Sequence, residues 1–466
     1  MDFSTWTFWI VMMPVMAVIF LVSTLCSSGV KKYFDKLSLL ALSLCLLYIA
    51  SHETLVVFLI VTILAYIGCV VGVKCGEKLR KWLLFFLIPI LLLPLIYYKY
   101  AYFIYVDVAG YEWNTFRELV IPIGISFYTF QTISFCIDTL RRNQNVPALI
   151  DYLNFCSFFP QIVAGPIERK ENLLPQMEGL RWKINADNLS NGIPYVVLGL
   201  FFKLVMADNI AFGMFQGYSG ENAYVVWYNN VIFGFRIYFD FAGYGLTAYG
   251  IAKCLGINIT LNFCSPYTCR NVSDFWRNWH ISLTQWFRDY IYFAMGGSRT
   301  RFWWFNIICM FLISGIWHGA GWNFIIWGGL AGISMVVHRI YKNRVGFYIP
   351  NFVAWIGTFV LMMFIWMFFY EPNMEIVGRN VDAVFSFASY DLAYFLKYLN
   401  GAVQRSACGL IFIGLSFVVI LTEYLSRKRT GDPYRLFLSP YSCMVMIIAI
   451  CMFRALHPSQ FIYFAF

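Results

Sequence analysis

Ser314-Gly315-Ile316-Trp317-His318-Gly319-Ala320-Gly321-Trp322 stands where two hydrophobic runs meet, Phe302 to Trp317 and Phe324 to Val337. At 1.5 Å per helical residue the first run spans roughly 24 Å, short of the roughly 30 Å hydrocarbon core of a bilayer. A helix starting at the Arg299/Arg301 boundary therefore carries His318 to within, or just under, the far edge of the membrane. Gly315, Gly319 and Gly321 bracket the histidine, and glycine is what a helix break or a close backbone approach requires. An ionisable side chain at that depth is costly, which makes His318 a functional candidate by default. The stretch reads as part of a membrane enzyme.

Composition agrees. The chain is 60% hydrophobic and 12% charged, against about 25% charged in soluble domains. It reads as an all-α polytopic membrane protein, one integral membrane domain over 1–466 with N-terminal spans in 1–100 and a core in 101–466. Segments able to span are 5–25, 37–50 with its flanks, 53–73, 82–98, 117–139, 191–212, 224–251, 302–317, 323–337, 352–370, 406–425 and 439–453. These about twelve segments are an upper figure, since 302–337 also suits a buried broken hairpin and 149–165 a re-entrant turn. The N-terminal run is too long for a cleaved signal and lacks a basic flank, so it reads as the first span. The 13 cysteines lie mostly in apolar runs, without metal or redox spacing, as small core residues do. A net charge of +10 raises nucleic acid as a partner, but the basic residues sit in short loops (31–36, 74–81, 141–142, 169–183). Nucleic acid is thereby excluded. The positive-inside rule places those loops in the cytoplasm and the N-terminus outside, in a multi-pass protein of the cell's inner membrane.

The segment 253–300 carries the richest pattern. Ser273 reads as an N-cap, with Asp274 in the first turn. Trp276, Trp279, Leu283, Trp286, Phe287 and Tyr290 then recur at helical spacing, and Arg277, Asn278, Thr284, Gln285, Arg288 and Asp289 take the other face. The spacing predicts one amphipathic helix over 273–291 at the membrane interface or plugged into the bundle from the cytoplasmic side, with His280 on its aromatic face.

Of 5 histidines, His52, His338 and His457 flank spans and read as interfacial residues, His338 being followed by Arg339, Lys342 and Arg344 at a membrane edge. His280 and His318 differ, because each sits on an apolar face where an uncharged residue would be cheaper. A neutral imidazole takes a proton from a hydroxyl or thiol near neutral pH, or carries an acyl group transiently. Zinc would need further ligands, and no HxxxH or CxxC supplies them, so no metal is expected. Arg236 and Asp240, four residues apart in an apolar helix, read as a buried ion pair, as do Lys203 and Asp208. Phe159-Pro160-Gln161 and Ala164-Gly165-Pro166 read as a helix break at membrane depth, after which Glu168-Arg169-Lys170 returns to the cytoplasmic surface.

Further motifs complete the series: Tyr238-Phe239-Asp240-Phe241-Ala242-Gly243-Tyr244, Asp274 to Leu283, Trp286 to Tyr290, Gly296-Gly297-Ser298-Arg299, Trp317 to Trp322, and the terminal Phe461-Ile462-Tyr463-Phe464. With the 159–169 stretch they resemble the membrane-bound O-acyltransferase family over residues 100–466. The match is closest to its bacterial branch of alginate and cell-wall polysaccharide O-acetyltransferases. Two positions depart from that branch: Gly245-Leu246-Thr247 where it usually has Ser-Asp-Met, and Ala294-Met295 where it usually has Pro-Leu. Neither touches a histidine.

The resemblance implies a ring of about 11–12 transmembrane helices around a thin central tunnel, with re-entrant and interfacial helices. It makes His318 the catalytic histidine and His280 a second important position. The expected activity moves an acetyl group from a cytosolic thioester, acetyl-CoA, to an extracytoplasmic polysaccharide such as alginate or peptidoglycan, with no bound cofactor. His318 would act as general base or acyl relay, and His280 would orient or assist. Arg277, Arg288, Glu168 and Arg169 would meet the donor, with Trp279, Asp289, Trp317, Trp322 and Asn323 lining the tunnel. A bulky glycan cannot readily reach a histidine at the base of a funnel, and no outer loop offers a Ser-His-Asp set. A separate extracytoplasmic serine-type O-acetyltransferase is therefore expected as partner, beside membrane lipids, docking around 213–222 and 371–405. The rivals are D-alanyl transfer to teichoic acid, which the Gly296–Arg299 and terminal motifs disfavour, and a proton-coupled transporter or flippase, for which no inverted repeat is seen.

Overall fold

The computed structural model describes residues 3–112, 120–163, 165–182, 185–215, 217–218, 220–346, 348–455, 459 and 461–462, and among these it is helical with no strand. Ala164, His457, Tyr463 and Phe464, quoted above, lie outside the described residues, as do Lys183, Gln216 and Ser219 of the loops and 117–119 of the fifth predicted span. The helices in chain order are α1 (Trp6–Leu25), α2 (Ser28–Ala50), α3 (His52–Val73), α4 (Glu77–Leu95), α5 (Ile125–Arg141), α6 (Leu149–Ser157) and α7 (Lys170–Glu178). There follow α8 (Ala186–Leu200), α9 (Asp208–Gly213), α10 (Ala223–Cys254), α11 (Val272–Asn278), α12 (Ile281–Phe287), α13 (Trp303–His318) and α14 (Trp322–Ile340). The last are α15 (Asn351–Tyr370), α16 (Met374–Phe385), α17 (Leu392–Gly401), α18 (Val403–Thr430) and α19 (Pro440–Phe453).

Among the described residues 8 helical stretches are long and apolar enough to cross a membrane, and α13 and α19 are shorter apolar helices. The protein is a multi-pass membrane protein. The sequence suggested more spans because α5 and α10 are also apolar. Every residue of α5 from Ile125 to Leu140 is buried, so its polar Gln131 and Asp138 meet protein rather than lipid. An element of that kind is hydrophobic without needing to reach across a bilayer by itself.

The chain forms two compact units. The first holds residues 1–196 and 245–261. Its interior is organised by buried polar groups: Lys36 pairs with Asp151, and Asp35 accepts hydrogen bonds from Ser23 Oγ at 2.6 Å and the Trp182 N–H at 3.0 Å. Gln131 donates to the Phe155 carbonyl at 2.8 Å and accepts from Gln161 at 2.9 Å. These bonds tie the turn after α6 into the protein, which is the condition for irregular backbone at membrane depth.

The second unit holds residues 197–244 and 262–466. Helices α13 and α14 pack closely because glycines face backbone. A Cβ on Gly315 would collide with the Phe324 carbonyl, and one on Gly328 with that of Phe311. Small residues at such crossings let helix backbones approach in a lipid setting, where packing rather than water drives association. Gly319 and Gly321 have φ of −162° and −173°, so their role is space rather than left-handed backbone. A Cβ on Gly319 would overlap the Phe324 ring.

The expected Arg236–Asp240 pair is absent. Asp240 instead meets Lys203 at 2.7 Å, and Lys203 also meets Asp208 at 2.9 Å as expected. Both carboxylates are buried, Arg236 is partly exposed, and one compact ammonium on a flexible stem satisfies two acids that a rigid guanidinium a turn away does not.

Candidate active site

The amphipathic segment is two helices, not one. Asn271, rather than Ser273, caps α11 by accepting from the Asp274 N–H at 2.8 Å. The helix stops at Trp279, and His280 takes left-handed backbone with φ 42° and ψ 58° before α12 begins. The segment 262–264 causes the break by taking the backbone bonds a continuous helix would make internally. Cys264 N–H donates to the Asn278 carbonyl at 3.0 Å, Ile281 N–H to the Asn262 carbonyl at 2.9 Å, and Ser282 Oγ to Asn262 Oδ1 at 2.7 Å. A non-glycine residue held at positive φ is strained backbone, which persists where surrounding structure enforces it and gathers at functional sites.

That kink turns His280 fully inward. It is 1% exposed, with its ring edge-on to Phe241 at 4.7 Å and 6.1 Å from the Trp317 ring. Burial pushes its imidazole pKa down to about 3, so the ring is neutral under ordinary conditions. His318 ends α13, 5% exposed, with Trp327 at 5.1 Å and Phe369 at 5.3 Å.

Both histidines line one small cavity of about 20 Å³, with Trp276, Trp279, Leu283, Thr284, Phe287, Met310, Phe311, Ser314 and Trp327. A larger cavity of about 680 Å³ shares Trp276, Thr284, Met310 and Phe311 with it. The larger one carries Arg277, Arg288, Arg339 and Lys342 against a single carboxylate, Asp274. Arg339 is held in place: its guanidinium lies 4.5 Å over the Trp303 ring and donates to Tyr292 Oη at 3.1 Å. Arg277 is exposed and meets Asp274 at 3.6 Å, and Arg288 donates to Asp289 at 2.8 Å. A basic vestibule thus shares a wall with an aromatic throat that holds two imidazoles. It suits a donor with anionic groups at one end and a small reactive group at the other.

Of the sequence candidates, this unit brings together His280, His318, Trp279, Arg277 and Arg288 along the two cavities, with Trp317 beside both histidines. Asn323 is buried at the start of α14, whereas Trp322 is exposed. Glu168 and Arg169 belong to the other unit, where Glu168 is engaged by the Thr260 N–H and the Asn172 amide, and burial raises its pKa. Sequence reasoning missed Ser314, one helical turn before His318 and hence on its face, and Arg339 and Lys342, read with His338 as a membrane edge. The signals were there: the i, i+4 spacing for Ser314, and a basic pair spaced i, i+3 across the end of α14 and the π-helical turn Tyr341–Val345 that follows it. No group of histidine, cysteine and acidic side chains able to hold a metal occurs among the described residues.

Comparison with known proteins decides the class. The sequence model of MBOAT, the membrane-bound O-acyltransferase family, matches residues 125–376. This chain belongs to the membrane-bound O-acyltransferase family. It is an acyltransferase of that family, in the all-α, multi-pass form the sequence suggested. It is 32% identical over 442 residues to a peptidoglycan O-acetyltransferase of Helicobacter pylori, covering 83% of this chain and 82% of that one. It is 30% identical over 417 residues to the probable alginate O-acetylase AlgI of Pseudomonas aeruginosa, covering 83% and 78%. A teichoic acid D-alanyltransferase of Streptococcus thermophilus is 27% identical over 291 residues, covering 58% and 67%. The acetyl-transferring relatives thus align over more of this chain than the D-alanyl one.

Proposed function

We propose that this acyltransferase takes an acetyl group from cytosolic acetyl-CoA and delivers it across the inner membrane for O-acetylation of an extracytoplasmic polysaccharide of the peptidoglycan or alginate kind. The observation that carries the reading is the shared wall of the two cavities. Phosphates in the basic vestibule leave the thioester pointing into the throat, where His318 and His280 wait. Imidazole Nε2 or Nδ1 of His318 takes the proton of a hydroxyl on a small acceptor presented at the throat, not the glycan's own. That oxygen bonds to the thioester carbonyl carbon, the C–S bond breaks, the thiolate leaves towards the vestibule, and the acetyl ester so formed is the group passed outward. Neutral His280 stands beside it as an orienting or donating partner.

The throat between Trp276, Trp279 and Trp327 holds only about 20 Å³, room for about one water, so the acyl group and its acceptor enter only as these side chains give way. Its lining residues include no carboxylate, so a D-alanyl ammonium has no counter-ion there, which favours acetyl over D-alanyl. Delivery to a glycan then falls to a separate outer-face serine-type O-acetyltransferase, docking around 371–405. The short helices α16 and α17 and the turn between them expose Phe385, Phe387, Leu392 and Leu396.

The test is thiol release by purified protein in detergent with acetyl-CoA. Free CoA that appears with wild type and is lost with His318→Ala supports the assignment. A pure transporter releases none.

A further inference from the structure

The Lys203 cluster is not a simple ion pair. Two carboxylates, Asp208 and Asp240, share one ammonium, and both are 1% exposed. A buried pair needs one charge of each sign. A second buried acid is costly unless donors reach it. The C-terminal segment supplies them. Asp208 Oδ1 accepts from Ser459 N–H at 3.2 Å and Ser459 Oγ at 2.7 Å, and Asp240 Oδ2 accepts from Ile462 N–H at 2.7 Å. Lys203 closes the arrangement by donating to the Ser459 carbonyl at 2.9 Å. Lys203 itself rides on a π-helical turn, Phe201–Ala207, an irregularity that recurs at functional sites.

Between the two anchored residues sits Phe461. Its ring stacks on Tyr244 at 5.0 Å and touches Phe241 at 6.0 Å, and Phe241 is the ring that meets His280 edge-on at 4.7 Å. The last helix ends at Phe453, and Phe461 and Ile462 reach residues in the middle of α10.

We propose that Lys203, Asp208 and Asp240 form a dock that straps the C-terminal segment against the histidine site, so that Asp240, Ser459 and Phe461 are positioning residues for the acetyl transfer proposed above. The strap holds Phe241 and through it the His280 ring. Releasing it leaves the vestibule, and so donor binding, unchanged while the histidines lose alignment. The inference rests on the acetyl-transfer reading for its kinetic part alone.

Two readouts test it on the full-length protein in detergent: trimming by a carboxypeptidase, followed by intact mass, and steady-state turnover with acetyl-CoA. Wild type should resist trimming at Ile462. Asp240→Asn should be trimmed past it and lose at least about tenfold in kcat, with KM for acetyl-CoA within about twofold, since small misplacements of catalytic groups cost that much. Asp240→Glu should regain resistance and part of kcat, which a general loss of packing would not show. Should Asp240→Asn fail to fold, Phe461→Ala, which leaves the ion cluster intact, should show the same kcat loss. An Asp240→Asn protein that resists trimming as wild type does overturns the dock. A trimmed protein with wild-type kcat, or a Phe461→Ala protein with wild-type kcat, overturns the positioning role. If the donor reading fails instead, wild type turns over no acetyl-CoA yet still resists trimming.

Discussion

The indole ring of Trp317 stands 6.1 Å from the imidazole of His280 at an interplanar angle of 75°, and 4.9 Å from His318, its chain neighbour. One helix end therefore touches both histidines. Successive residues on a helix point about 100° apart, so Trp317 turns towards the kink at His280 while His318 faces Trp327 and Phe369. Both imidazoles therefore meet the last turn of α13.

Replacing His318 by Ala should abolish acetyl transfer with expression and thermal stability close to wild type. The side chain lines a cavity beside Ser314, so its removal enlarges a space already present. Turnover above a few per cent of wild type in the purified variant would show that another group does the chemistry.

His280 sets a pH dependence whose sign follows from its burial. Its folded pKa of about 3 lies below the roughly 6.5 of an exposed imidazole. Below the higher value the unfolded chain binds a proton that the folded one refuses. The stability contributed by this group is complete above that pH and is lost as pH falls towards the folded value. Thermal melting in detergent should therefore show a steeper loss from pH 7 to pH 5 for wild type than for His280→Gln. Equal slopes would mean the ring is not kept neutral by burial. For the same reason His280 should leave no inflection in the activity profile between pH 5 and pH 8.

Periodicity located most of the helices, and the Trp317–Trp322 motif singled out the candidate centre, because apolar runs and an ionisable group among glycines are local signals. The kink at His280 was hidden. Its aromatic stripe keeps helical spacing across the break, and the bonds that break it come from Asn262 and Cys264, a contact that no local pattern reports. Asp240 misled for a similar reason. Arg236 is its neighbour in sequence, but Lys203, distant in the chain, is its neighbour in space. Arg339 and Lys342 read as a membrane flank because a positive-inside loop and an anion-binding wall share the same composition.

Arg339 is pre-organised on the vestibule wall by Trp303 and Tyr292, so it should contribute to donor binding before chemistry. Arg339→Met should raise KM for acetyl-CoA by about tenfold with little change in kcat, the signature of lost uniform binding. The effect should shrink when the donor is an acetyl thioester lacking the nucleotide phosphates. A kcat loss at constant KM would move Arg339 out of the donor site.

Gln285 lies on the vestibule wall, and the positive-inside expectation puts that wall at the cytoplasmic face. A cysteine at this position should react with maleimide in inverted vesicles, or with permeant reagent in cells. Modification from outside intact cells by an impermeant reagent would reverse the topology.

The chain by itself should not acetylate a polymer. The throat at the histidines measures about 20 Å³, and a glycan strand cannot enter it. An acetyl group passed outward must be collected by a group that can also grip the polymer. The exposed apolar residues of α16, α17 and the turn between them, with Phe387 97% exposed, offer such a partner a surface. Liposomes holding this chain, with acetyl-CoA inside and peptidoglycan fragments or alginate outside, should therefore yield no ester on the glycan until a serine-type transferase is added. With the partner present, Phe387→Asp should reduce ester formation several-fold while leaving thiol release from acetyl-CoA intact, because apolar anchors at the centre of an interface carry most of its binding energy. Robust acetylation of the glycan by this chain alone would remove the need for the partner and place the acceptor at the histidines themselves.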